Sequence, residues 1–148
     1  MNYRIIKAFN SFYGKRDQVL TDLLIELSPS DYFLLFNISE YLNENKQDFI
    51  YVSKIAEIQD ISVPAVSKVL RKLEENKYIK RTIDMFCRRN TKVKLTPSGL
   101  KILEQNNKIV EELVEDILAK VSEEKIYQAL DVKNEVEKII KDRSEQKC

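Results

Sequence analysis

The chain has 148 residues, 43% of them hydrophobic and 33% charged, and its 25 basic and 24 acidic side chains nearly cancel to a formal charge of +1. That is enough chain for one domain with its own core, or for one small domain plus an oligomerisation element, and the near-zero net charge provides no bulk attraction to a polyanion. There is no histidine, and Cys87 and Cys148 stand in no metal-ligand spacing, so the usual zinc sites and the His-dependent triads are excluded.

The opening stretch MNYRIIKAFNSFYGKRDQ scatters Arg4 and Lys7 among apolar residues and never sustains the apolar run of a signal peptide. No stretch reaches membrane-spanning length, so a cytoplasmic protein without a membrane partner is expected. Two glycines, Gly14 and Gly99, and three prolines, Pro29, Pro64 and Pro97, punctuate the chain, which argues for long helices joined by short connections.

In SPSDYFLLFNISEYLNENK, Ser28 or Ser30 can cap a helix ending near Asn45, with Phe33, Leu34, Ile38, Tyr41 and Leu42 on one buried face. The segment VSKIAEI predicts a shorter helix, with Ser53 as its cap and Ile55, Ala56 and Ile58 facing inward. After the turn QDI, SVPAVSKVLRKLEENKY predicts a third helix. Ser62 caps it, Pro64 fits its first turn, and Val66, Val69, Leu70 and Leu73 form an apolar stripe. Ala65, Ser67, Lys68, Arg71 and Lys72 are left on the opposite face.

Alternation in IKRTI and TKVKL predicts two antiparallel strands around the tip DMFCRRN. From Thr96, TPSGLKILEQNNKIVEELVEDILAKV reads as one long helix with Leu100, Leu103, Val110, Leu113, Val114, Ile117 and Val121 apolar. A last helical stretch restarts at Ser122 and runs through Val136, Ile139 and Ile140.

Helix, helix, tight turn, helix and hairpin make a winged helix-turn-helix order, within a mainly α fold carrying a small two- or three-stranded β wing. A helix showing small and basic side chains can enter a major groove, and a basic hairpin tip can reach phosphates or the adjacent minor groove. The charge is distributed to match. Residues 62–101 hold eleven Lys and Arg against three acids, a local +8, whereas residues 102–148 hold eight basic and twelve acidic side chains. The neutral total conceals a bipolar chain.

The run VSKIAEIQDISVPAVSKVLRKLEENKYIKR, the RR-containing tip and KLTPSG opening a long helix together resemble the MarR family of bacterial transcriptional regulators, over about Pro29 to Val121. The resemblance implies a homodimer, in which 1–28 and 98–148 form a helical dimerisation region and 29–97 the DNA-binding lobe. It implies double-stranded DNA with a pseudo-palindromic operator as partner and, as in many relatives, a small-molecule effector pocket; the leading expectation is a repressor that a ligand or an oxidant releases. Carried onto this chain, Ser62 opens the DNA-binding recognition helix, Ala65, Ser67 and Lys68 lie nearest base edges, Arg71, Lys72 and Ser53 near phosphates, and Arg88 and Arg89 at the minor groove.

Two departures from the family pattern stand out. Asp60 and Lys77 occupy positions where the family has glycine, with Asn76 available as a left-handed cap. Cys87 replaces the aspartate that precedes the arginine pair, leaving Asp84 to take over its contact. Beside two arginines Cys87 is a candidate redox thiolate, against the plainer reading of a tolerant loop position; Cys148 on its polar tail is expected to be inert. Aromatic residues Phe9, Phe12, Tyr13, Tyr32, Phe33 and Phe36 are candidates for an effector pocket, or simply for core packing.

The alternative from another class is a winged-helix protein-interaction module whose basic face docks an acidic partner without reading DNA. An enzyme is not expected, since no histidine, phosphate-cradling glycine loop or carboxylate pair is evident, and no cofactor is implied.

Overall fold

The computed structural model describes residues 21–87 and 90–146. In chain order the elements are α1 (Pro29–Asn45), β1 (Ile50–Tyr51), α2 (Val52–Gln59), α3 (Val63–Glu75), β2 (Ile79–Ile83), β3 (Thr91–Leu95), α4 (Pro97–Leu118) and α5 (Glu123–Glu145). The chain divides into two compact units at Ile109/Val110.

In the first unit, α1 starts where Pro29 stands, because a proline there lacks only an N–H that would have no helical partner. Ser28 caps it reciprocally: its Oγ accepts the Asp31 N–H at 3.2 Å, and the Asp31 carboxylate accepts the Ser28 N–H at 3.3 Å. The inward face consists of Tyr32, Leu34, Leu35 and Ile38. Phe33, expected inside, is instead 47% exposed, since the buried stripe runs one position away from it.

The second helix covers the expected segment but departs from expectation at its cap and at Ile58. It begins at Val52 directly out of β1, so Ser53 lies within its first turn, exposed, and the N-cap is Tyr51 with no side-chain capping bond. Ile55 and Ala56 are buried with Val52, whereas Ile58 is 39% exposed. The helix ends at Asp60 in the left-handed conformation, φ 50°. On α3 the expected pattern holds: Ser62 Oγ accepts the Ala65 N–H, and Val66, Leu70 and Leu73 have no exposed surface.

The sheet has three strands in the order β1-β3-β2, all antiparallel. The two-residue β1 was not legible in the sequence as a strand; it lies beside β3, with Ile50 opposite Val93 and Tyr51 opposite Lys92. Val93, opposite Arg81 on its other side, is fully buried at the centre.

The passage from α3 to the sheet turns on Lys77, φ 61°, and not on Asn76, whose φ of −78° is ordinary. The left-handed position therefore falls on the residue replacing the family's glycine, at the cost of about 1–2 kcal/mol that a side chain incurs there. The Tyr78 carbonyl then accepts the Thr96 N–H at 3.1 Å, and Thr96 Oγ1 donates to the Lys77 carbonyl at 2.6 Å while accepting the Gly99 N–H at 3.0 Å. A Cβ on Gly99 would stand 2.0 Å from the Tyr78 carbonyl oxygen, so only glycine permits this approach.

Within the first unit, α4 buries Gly99, Ile102, Leu103 and Asn106; Leu100, expected on that face, is 51% exposed. Asn106 is fully buried and its amide acts as a second strand would. Its Oδ1 accepts the Ile25 N–H at 2.8 Å and its Nδ2 donates to the carbonyls of Ile25 and Ile102 at 3.1 and 2.8 Å. The segment before α1 is thereby attached to α4.

In the second unit α5 has no buried residue. Val114, Ile117, Leu118, Val121, Tyr127, Leu130, Ile139 and Ile140 are each 40% exposed or close to it or more. Among the described residues no helix is long and apolar enough to cross a membrane.

Gly99→Ala is expected to lower unfolding free energy by about 3 kcal/mol or more in denaturant titration, because the clash is with backbone and cannot be relieved by a rotamer change. Ser98→Ala, at an exposed neighbouring position, should stay within about 0.5 kcal/mol of the parent.

Candidate nucleic-acid interface

The outer face of α3 presents Ser62, Ala65, Lys68, Arg71 and Lys72, all exposed, with Ser67 half-buried at its border. The face exists because the opposite stripe is committed to the core, and the spacing of Ala65, Lys68 and Arg71 by three places them along one side. Ser62 is engaged in capping through its oxygen, which leaves its hydroxyl hydrogen as a donor.

The structure sorts the basic residues of 62–101 by what already neutralises them. Lys72 Nζ lies 2.5 Å from Asp31 Oδ2, Arg81 binds Glu74 at 2.6 Å, Lys92 approaches Asp84 at 3.3 Å and Lys94 binds Asp48 at 2.5 Å. These pairs bind elements together: α3 to α1, β2 to α3, and β3 to the turn ahead of β1. Arg81 holds Glu74 with both its guanidinium and its backbone N–H, which keeps that carboxyl below its usual range. The Lys94 ammonium does the same for Asp48.

Among the described residues Lys68, Arg71, Lys77, Lys80 and Lys101 have no ion-pair partner, and Lys68 and Arg71 occupy the outer face of α3. Arg88 and Arg89 lie outside the described residues, as do Cys148, Phe9, Phe12 and Tyr13. Of the remaining aromatic candidates, Tyr32 is buried and donates its hydroxyl to Asn107 at 2.9 Å, Phe36 is half-buried and Phe33 exposed. Cys87 is exposed.

The wing is organised by Asp84, only 4% exposed, which the sequence singled out for a different contact. Its Oδ2 accepts the Tyr51 hydroxyl at 2.6 Å and faces Lys92, and its Oδ1 accepts the Phe86 N–H at 2.8 Å. Its own N–H donates to the Asn90 carbonyl, and the Asn90 N–H to the Cys87 carbonyl, each at 2.8 Å. The Lys92 ammonium also lies 4.5 Å from the Phe49 ring centre. The Tyr51 hydroxyl, then the Phe86 amide and Lys92, hold the Asp84 carboxyl down at about 2, and the same bond raises the Tyr51 phenol.

Sequence reasoning missed Tyr51, Phe86 and Lys92 as members of this cluster. The available signal was that Asp84 is the sole acid between Glu75 and Glu104. Such a group in so basic a stretch implies a structural partner.

A capped third helix with its outer face free, reached through a tight turn and followed by a three-stranded wing, defines a winged helix-turn-helix protein. A family model described as "Winged helix DNA-binding domain" matches residues 35–114, more than half the chain, and the chain belongs to that family. Among solved structures, a mutant of MarR from E. coli complexed with operator DNA matches with a TM-score of 0.73 at 17% identity, covering 90% of this chain and 94% of that one. The MepR–DNA complex of S. aureus matches at 0.66 and 24% identity, covering 95% of each chain. The transcriptional regulator BldR from Sulfolobus solfataricus matches at 0.66 and 21%, covering 90% and 91%. The MarR resemblance read from the sequence is borne out in the fold.

The lowered Asp84 value means that the ionised carboxylate favours the folded wing. That contribution is complete above the usual 3.8 and is lost as pH falls through about 2. Amide protection at Phe86 and Asn90, followed by NMR exchange, should fall across that window, and Asp84→Asn should show low protection already at neutral pH, with no acid transition.

Proposed function

We propose that this chain is a DNA-binding transcriptional regulator that acts as a homodimer on a pseudo-palindromic operator in the cytoplasm, and that it represses. The observation that carries the reading is the pair Lys68 and Arg71, exposed and unpaired beside Ala65 on the outer face of α3, in a chain of a DNA-binding winged helix family. Ser62 opens the recognition helix, Ala65, Ser67 and Lys68 face base edges, and Arg71 and Ser53 face phosphate. Lys72 keeps 55% of its side chain exposed towards phosphate while its ammonium rests on Asp31, so it also sets the angle of α3 against α1. Arg88 and Arg89 extend the contact to the minor groove.

Dimerisation is supported by the apolar side chains that residues 110–146 leave exposed, since an isolated subunit would present them to water. Residues 1–28 and 98–148 supply the dimer region and 29–97 the DNA lobe. Two α3 helices then read half-sites about one helical turn apart. The fold shared with proteins solved on DNA, one of them on operator DNA, supports the same reading.

Regulation follows from the spacing of those two helices. An effector that binds the DNA-spaced and released states unequally, by ~1–3 kcal/mol, shifts the equilibrium between them. Cys87 is the candidate for an oxidant's entry, because it is exposed on the wing tip next to the arginine pair.

In shift assays against duplexes selected from random DNA, Lys68→Ala and the double change Arg88→Ala with Arg89→Ala should each weaken binding, by about 1–3 kcal/mol for a base-reading residue. Unchanged binding by both, with a stoichiometric complex on an acidic protein, would turn the surface into a protein-docking module. Cys87→Ser should bind as the parent does under reducing conditions and lose any sensitivity to peroxide; sensitivity that persists in the variant would exclude this thiol as the sensor.

A further inference from the structure

The wing tip carries a feature that charge does not explain. Met85 is 91% and Phe86 99% exposed, next to Ile83 at 66%, so the tip presents three apolar side chains to water in succession around the buried Asp84. A loose loop could fold such residues back, but this one is held: Asp84 Oδ1 binds the Phe86 N–H, and two further bonds, Asp84 N–H to Asn90 and Asn90 N–H to Cys87, close the turn. The phenyl ring is therefore displayed by a fixed backbone, and the residue that fixes it is the sole acid of the wing. With that acid buried, the tip offers apolar surface followed directly in sequence by Arg88 and Arg89.

We infer that Phe86, flanked by Met85, is an apolar wedge that enters the minor groove of duplex DNA beside the major groove occupied by α3. The inference rests on the proposed DNA-binding function. A narrow hairpin tip suits a groove about 6 Å wide. Phe and Met are side chains that press between base steps or against sugars, where burial replaces the water they now face. Arg88 and Arg89, which follow in sequence, add positive charge suited to the negative potential of that groove. Of the cations on β2 and β3, Arg81, Lys92 and Lys94 are engaged by acids, which leaves Lys80 as the unpaired one there among the described residues. The tip then contributes through apolar contact, where the outer face of α3 contributes through charge and base edges.

The two contributions separate by salt. The probe is a fluorescent duplex recovered by selection from a random pool with the full-length protein, titrated at several salt concentrations. Phe86→Ala should weaken binding about tenfold and leave the slope of log affinity against log salt unchanged, because no phosphate contact is removed. Phe86→Leu should retain most of the affinity, and the thermal midpoint of both variants should match the parent. Arg88→Ala with Arg89→Ala should instead flatten the slope.

Binding by Phe86→Ala within about twofold of the parent, while Lys68→Ala weakens it, would overturn the wedge and leave the DNA interface standing. Failure to select any duplex, or unchanged binding by Lys68→Ala and the arginine variant as well, would remove the proposed function and the wedge with it. A drop in sedimenting mass for Phe86→Ala would assign the tip to contact between copies, and overturn the wedge.

Discussion

The approach of Gly99 to the Tyr78 carbonyl is the constraint on which the interface depends. At that point the end of α3, the root of β2, the end of β3 and the first turn of α4 meet within a few hydrogen bonds made by Thr96. Any side chain at Gly99 would push α4 away from the chain that leaves α3, and the angle between the helix and the wing would change with it. Lys77 accepts a left-handed backbone so that this junction can form. A local strain is tolerated there because the contacts on both sides over-determine it.

Around that junction, ion pairs serve two different ends. Four basic residues of the central segment are neutralised by acids from neighbouring elements, and each such pair orients one element against another. Asp31 and Asp84 are buried partners in two of these pairs, and all four remove charge from the surface selectively. What remains uncompensated on α3 is Lys68 and Arg71. The local +8 of the sequence thus resolves, among the described residues, into a smaller set of unpaired cations, two of them on the outer face of α3.

Much of the architecture was legible because it rests on periodicity and capping. Ser28 with Asp31, Ser62 with Ala65, and the stripe of Val66, Leu70 and Leu73 are local patterns, and local patterns survive into the fold. The errors fell where neighbours several turns away decide the outcome. Phe33, Ile58 and Leu100 are apolar at helical spacing yet exposed, because burial depends on which elements pack against a helix and not on spacing alone. Ser53 reads as a cap in the sequence because nothing in two residues, Ile50 and Tyr51, announces a strand; only pairing with β3 makes them one.

The sequence by itself determined the order of elements, the polarity of charge along the chain and the composition of the outer face of α3, since these follow from residue type and spacing. The tertiary structure decided which cations stay unpaired, that Asp84 is a buried anchor for the wing, that Asn106 stands in for backbone, and that Phe86 is displayed and not buried. Each of these is set by groups separated along the chain and brought within hydrogen-bond or ion-pair distance only by folding. No spacing rule within a helix or strand contains that information.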